Sequence, residues 1–233
     1  MSIAEAIIEK VNNGRSPLGV TGSIGCGKTF VCTTLRELAD NQGIITSYVS
    51  VDSLRRNILG TDAKYEKVRT DLTAYFGERI RKPDGSICGK ELGQIIYYEI
   101  SAMDAYKGIL YPAINQSLGF IMKERNGLLF LEWSCLVEEG LLPLVEGNAL
   151  VITCDYYTQV QRLIAGDLPL SQLQKRIEHQ LSNNEKISGI KEYQKNSGSG
   201  RLYVFDTGTN PGPEQYMALL EDIMHDLISL KKI

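Results

Sequence analysis

The chain has 233 residues, 43% of them hydrophobic and 8% aromatic, which suits one sizeable core and excludes a disordered tail, a collagen-like fibre or a small disulfide scaffold. Twenty-five Lys and Arg stand against 28 Asp and Glu, a formal net charge of -3, so no global positive field holds nucleic acid or an anionic membrane, and any anion must be held locally. No apolar run reaches the roughly 18 residues of a membrane span, and Glu5, Glu9 and Lys10 interrupt what would be a signal peptide's apolar centre, which reads as a cytoplasmic protein.

Apolar residues at Ile3, Ile7 and Val11 predict a short amphipathic helix over 2–13, part of an N-terminal extension, 1–17, that precedes the fold proper. Leu18–Thr21 reads as a strand that breaks into a glycine-rich loop, after which Val31, Leu35, Leu38 and Ala39 repeat at helical spacing. A second strand over Ile44–Val51 is followed by helices and turns to about Asn126, too helical for a simple crossover. Short, continuously apolar runs at Leu128–Trp133 and Ala149–Cys154 each follow a turn signal and read as parallel strands buried on both faces. A last strand, Leu202–Phe205, leads through Asp206-Thr207-Gly208 into a helix with Tyr216, Leu220, Ile223, Leu227 and Leu230 on one face. The polar patch Asn196–Gly200 reads as a flexible surface loop. The pattern predicts an α/β, doubly wound parallel sheet of about five strands of the P-loop NTPase type with a helical insertion.

The loop Gly22-Ser23-Ile24-Gly25-Cys26-Gly27-Lys28-Thr29 fits the phosphate-binding pattern and has the strand before and helix after that the pattern requires. Its glycines let backbone N–H groups face the phosphates of ATP, Lys28 neutralises charge, and the Thr29 hydroxyl ligates Mg²⁺. A plain turn between strand and helix would need neither Lys nor Thr at those offsets. Glu132, closing the run from Leu128, is placed to contact the metal through water. Asp52, just past the second strand, is the candidate carboxylate to orient or deprotonate an acceptor hydroxyl, and on spacing it also suits the N-cap of the next helix. The five cysteines, Cys26, Cys32, Cys88, Cys135 and Cys154, contain no C-x-x-C pair, and with two histidines they do not read as a zinc site. Cys32 and Cys154 read as buried hydrophobes, whereas Cys26 stands in the glycine loop at a helix N-terminus.

From Leu18 to near the C-terminus the chain resembles the dephospho-coenzyme A kinases, which transfer the γ-phosphate of ATP to the ribose 3′-hydroxyl of dephospho-CoA. The opening Leu18–Thr29 looks like the family's G-L-T-G-G-I-G-S-G-K-S. Further matches are Asp52 with Arg56, Phe76-Gly77, Asp84-Gly85, Leu110-Tyr111-Pro112, Leu136-Val137-Glu138, Gln159-x-x-Arg162, Arg176-x-x-x-Gln180, Glu185-Lys186 and Gly208. The resemblance implies Asp52 as the catalytic carboxylate, with Lys28 and Arg162 on the phosphates, Arg56 and Tyr111 toward the acceptor, and Gly208 in a base-adjacent loop. It also implies a nucleotide-binding core (18–58, 127–155 and 187–233), an acceptor-binding insertion (59–126) and a lid (156–186). ATP and dephospho-CoA are the implied small-molecule partners, with neither nucleic acid nor membrane, and homo-oligomerisation is left open.

The departures concentrate at acceptor and lid. Ser50-Val51-Asp52 stands for Asp-x-Asp, Tyr111-Pro112 for His-Pro, Ser134-Cys135-Leu136 for Pro-Leu-Leu, and Asp206 for the Asn before the last glycine. An arginine common after the Asp-Gly turn falls near Gly89 and Lys90, and Gly166 stands where the family has a second lid arginine, leaving Arg162, Lys175 and Arg176 as the remaining cations. Two other functions therefore stay open: a kinase for another nucleoside or nucleotide hydroxyl, and a nucleotide-binding protein with little turnover.

Overall fold

The computed structural model describes residues 8, 9, 11–165, 175, 177, 178 and 180–229. Ile3, Ile7, Gly166, Arg176 and Leu230, singled out above, lie outside them. The chain divides into two compact units, one of residues 1–49 and 125–233, the other of 50–124.

The first unit is built on a sheet of order β2-β3-β1-β4-β5, with β1 Arg15–Thr21, β2 Thr46–Ser50, β3 Gly127–Glu132, β4 Ala149–Thr153 and β5 Leu202–Asp206. Pairings β1–β3, β1–β4 and β4–β5 are parallel. The central runs are apolar at every position because alternate residues face opposite layers. Leu18 and Val20, Leu128 and Phe130, and Leu150 and Ile152 join one core cluster. Also in it are Val31, Cys32, Leu35 and Ala39 of helix α1 (Lys28–Asn41) and Tyr216, Leu220, Ile223 and Leu227 of a later helix, Pro213–Ser229. On the other face, a β-carbon on Gly19 would meet Leu136 and Val145. Each fully buried apolar side chain of this kind contributes about 1.5–3 kcal/mol.

Strand β1 begins at Arg15, three residues earlier than the expected start at Leu18. Pro17 pairs only with β3, since pairing with β4 starts at Gly19, so its missing N–H faces no second strand. The described part of the N-terminal extension is integrated with the core rather than preceding it. Val11 is buried there, and the Asn12 side chain donates to Gly43 O at 2.9 Å and accepts from Ile45 N–H at 2.7 Å.

The patch at 196–200 is also not a free loop. Asn196 and Ser197 close a helix, Asn183–Ser197, whose Gln194 donates to Gly147 O at 2.8 Å, and Arg201 N–H donates to Asn148 Oδ1 at 3.1 Å. Its polar composition reflects the exposed end of a helix that packs on β4 and β5.

The second unit is helical: α2 Val51–Leu59, α3 Glu66–Phe76, α4 Gly89–Ile96 and α5 Ile100–Lys123. Buried Ala102, Tyr106, Leu110, Ile114, Leu118 and Met122 repeat at helical spacing along α5. Arg69 is buried as an internal clamp, donating to Ile58 O, Asp62 O and Glu66 Oε2 at 2.8–3.1 Å. The Lys82–Gly85 turn closes with Gly85 N–H on Lys82 O at 2.9 Å. With helices α6 Tyr156–Ile164, α7 Asn183–Ser197 and α8 Pro213–Ser229 also among the described residues, the fold is the α/β arrangement with a helical insertion that the periodicity predicts. No described helix is long and apolar enough to cross a membrane.

Candidate functional site

The glycine loop leaves the C-terminal end of β1, next to the point where connections from the sheet diverge to either side, which is the ligand crevice of such sheets. Gly22 has φ 137°, and a β-carbon there would lie 2.2 Å from Ile152 O, so only glycine lets the loop run this close to β4. Gly27, left-handed at φ 84°, ends the loop as the N-cap of α1 and supplies no capping side chain. The first turn of α1 thus has no capping side-chain oxygen, an arrangement that suits an anion at this helix end. Lys28 is buried, its ammonium donating to Gly22 O at 3.0 Å and Ser23 O at 3.1 Å.

Register brings the acid to the loop: Val20 pairs with Glu132, and Trp133 N–H donates to Val20 O at 3.0 Å. The Thr29 hydroxyl donates to Glu132 Oε1 at 2.9 Å, and the Tyr48 hydroxyl from β2 donates to Oε2. Glu132 is 6% exposed, so both its oxygens are oriented by neighbours rather than by solvent.

Behind the loop lies a polar brace. Gln159 of α6 donates to Ile24 O at 2.7 Å; Gln180 accepts from Ile24 N–H at 3.1 Å and donates to Ser134 Oγ at 3.3 Å. Asn183 Oδ1 accepts from Ser23 N–H at 2.9 Å and from its hydroxyl at 3.0 Å. Arg162 donates twice to Thr207, to Oγ1 at 2.8 Å and to O at 3.0 Å, and the Thr207 hydroxyl lies 2.8 Å from Cys26 O as its donor. A β-carbon on Gly27 would be 3.5 Å from the Arg162 guanidinium, so this cation borders the loop. Gly208 N–H donates to Asp206 Oδ1 at 2.8 Å. Sequence reading names Gln159 and Gln180 only as motif matches and misses Tyr48, Asn183 and Thr207. For Asn183 a signal existed: Ser182-x-x-Glu185 is a capping box that starts α7 and fixes where Asn183 points.

The Leu136-Val137-Glu138 and Glu185-Lys186 motifs form a buried joint. Lys186 is fully buried, donating to Ser134 O at 2.7 Å and pairing with Glu138, whose Oε1 also accepts from Leu181 N–H at 3.0 Å. Burial and then the Glu138 charge push the nearby Cys135 thiol up to about 11. Lys186→Met leaves the Glu138 carboxylate buried and uncompensated. It is expected to destabilise the protein by about 3–5 kcal/mol, checked by urea denaturation; a midpoint equal to that of the parent would refute it.

In the second unit, Ser50 rather than Asp52 caps α2, accepting from Ser53 N–H at 3.3 Å. The Asp52 carboxylate is therefore not used as a cap. It is half-exposed and pairs with Arg55 at 3.7 Å. Burial opposes the Arg55 charge, but the Tyr106 phenol and Asp52 outweigh it and hold the Arg55 pKa above its ordinary value. The buried Tyr106 hydroxyl makes no geometric hydrogen bond among the described residues, so its effect on Arg55 is that of a nearby phenol dipole and charge. Arg56 is exposed and donates to Ser53 Oγ at 2.9 Å. Tyr111, half-buried on α5, has the Lys107 ammonium 5.9 Å from its ring centroid.

A glycine loop feeding a helix, a lysine folded over it and an acid on the neighbouring strand define the nucleotide site of a P-loop kinase. A family profile described as CoaE, dephospho-CoA kinase, matches residues 17–201, and the chain belongs to that family. It is 31% identical over 175 residues to the dephospho-CoA kinase of Dehalococcoides mccartyi, covering 73% of this chain and 83% of that one. The dephospho-CoA kinase of Geobacter sulfurreducens is 30% identical over 213 residues, covering 88% and 95%. The crystal structure of TT1252 from Thermus thermophilus superposes with a TM-score of 0.66 at 20% identity, covering 92% of this chain and 99% of that one, a likeness of fold.

Proposed function

We propose that the chain transfers the γ-phosphate of ATP to the ribose 3′-hydroxyl of dephospho-CoA, giving coenzyme A. The observation that carries the ATP half is the hydrogen bond between Thr29 and buried Glu132 beside Lys28 and the glycine loop. Family membership supports the acceptor.

In this reading the loop N–H groups from Gly22 to Thr29 and the Lys28 ammonium hold the phosphates, and Arg162 adds positive charge on the side of Gly27. Gly208 and its neighbours border the base. Asp52 orients the acceptor hydroxyl and takes its proton as the new P–O bond forms, while Arg56 and Tyr111 bind the acceptor. Oxygen donors alone, the Thr29 hydroxyl directly and Glu132 through water, suit Mg²⁺, which prefers such ligands and keeps several waters. Held there, Mg²⁺ would supply positive charge to offset that of the phosphates. Tyr48 holds Glu132 in place for this role.

A coupled assay of ADP release with dephospho-CoA, adenosine and nucleoside monophosphates tests the acceptor. Release is expected with dephospho-CoA and to fall about 10³-fold in Arg162→Ala. Preference for another acceptor, or tight ATP binding with no acceptor-stimulated release, would overturn the assignment.

A further inference from the structure

Cys26 stands where the family's loop has serine, and phosphoryl transfer has no use for its thiol. It is 1% exposed, between Gly25 and Gly27. Its sulfur lies 3.2 Å from that of Cys154, whose thiol donates to it, and Asn183 Nδ2 reaches the same sulfur at 3.9 Å. Cys154 is the residue after β4 and is partly exposed. The proximity is imposed by the sheet: β4 pairs with β1, and Gly22 lets the loop run against Ile152. Burial first, then the hydrogen bond and charge of Cys26, push the Cys154 thiol up to about 12, so exposure rather than ionisation makes it the sulfur that a peroxide reaches.

We propose that Cys26 and Cys154 are an oxidative modification site, converted by a peroxide into a disulfide that closes the phosphate loop to ATP. The sulfur of the more exposed Cys154 bonds to one peroxide oxygen as the O–O bond breaks. The departing hydroxide leaves with the thiol proton as water, and Cys154 becomes a sulfenic acid. The Cys26 sulfur then attacks the Cys154 sulfur, the S–O bond breaks, and hydroxide leaves with the Cys26 proton as a second water. The two thiols lose two electrons and the peroxide gains them. A small-molecule dithiol reverses the change by exchange.

The bond requires the sulfurs to close from 3.2 Å to about 2.05 Å. Cys26 O is tied on another side to the Thr207 hydroxyl, so the shift falls on the glycines flanking Cys26, whose N–H groups meet the phosphates. Loss of ATP binding rests on the reading of this loop as the ATP site; the cross-link rests on the sulfur geometry.

The test treats the full chain with hydrogen peroxide, alkylates remaining thiols and maps the digest by mass spectrometry, with ATP affinity measured by calorimetry before, after, and after dithiothreitol. Expected are a linked Cys26–Cys154 peptide and ATP affinity weakened at least about tenfold and restored by dithiothreitol. Cys154→Ser is expected to keep the affinity of the reduced protein and lose the response. Absence of the linked peptide, or an equal loss in Cys154→Ser, would overturn the proposal. Reduced protein that does not bind ATP would count against the nucleotide reading instead, with the peptide map still deciding the cross-link.

Discussion

Asp52→Asn is expected to lower kcat for dephospho-CoA phosphorylation by about 10²–10⁴-fold, the range a positioned general base contributes, with ATP affinity unchanged. The substitution is nearly isosteric. It costs little structurally, because Ser50 caps α2 and the carboxylate's ion pair with Arg55 is a half-exposed contact. What it removes is the proton acceptor. Retained kcat in Asp52→Asn would show that this carboxylate takes no part in the chemistry.

Lys28→Ala is expected to weaken ATP binding and turnover together, by about 10²–10³-fold in kcat/KM for ATP. Lys28 is 8% exposed and its ammonium holds Gly22 O and Ser23 O, so it shapes the loop and, on the proposed reading, brings charge to the phosphates. Lys28→Arg, a bulkier planar cation in a buried site, is not expected to restore it. Wild-type ATP affinity and turnover in Lys28→Ala would refute the phosphate-loop assignment. Circular dichroism of the variant separates loss of function from loss of fold.

How much of this was legible beforehand varies residue by residue. The phosphate loop was readable because backbone approach to phosphate demands glycine at fixed offsets, and Lys28 and Thr29 follow from the same geometry. Leu128–Glu132 was readable as a two-sided strand because nothing but apolar residues survives between two layers. Arg162 was visible as a motif position, but its two hydrogen bonds to Thr207 span 45 positions in sequence, and no local pattern announces them. Asp52 was visible too; that Ser50 takes the capping role instead depends on where β2 ends, a boundary set by strand pairing.

Composition, periodicity and the spacing of one loop were sufficient for the fold class and for naming the loop proposed to hold phosphate, since these depend on local backbone requirements and on which faces must be apolar. With a net charge of -3 any anion must be held locally, and the glycine loop is the place proposed for it. The brace of Gln159, Gln180, Asn183 and Thr207 behind the loop, the buried Lys186–Glu138 joint and the meeting of Cys26 with Cys154 across 128 positions came only with the folded chain. Side-chain hydrogen bonds and sulfur contacts between distant segments are decided by strand order and register, and a one-residue change in register would turn each of those groups away from its partner.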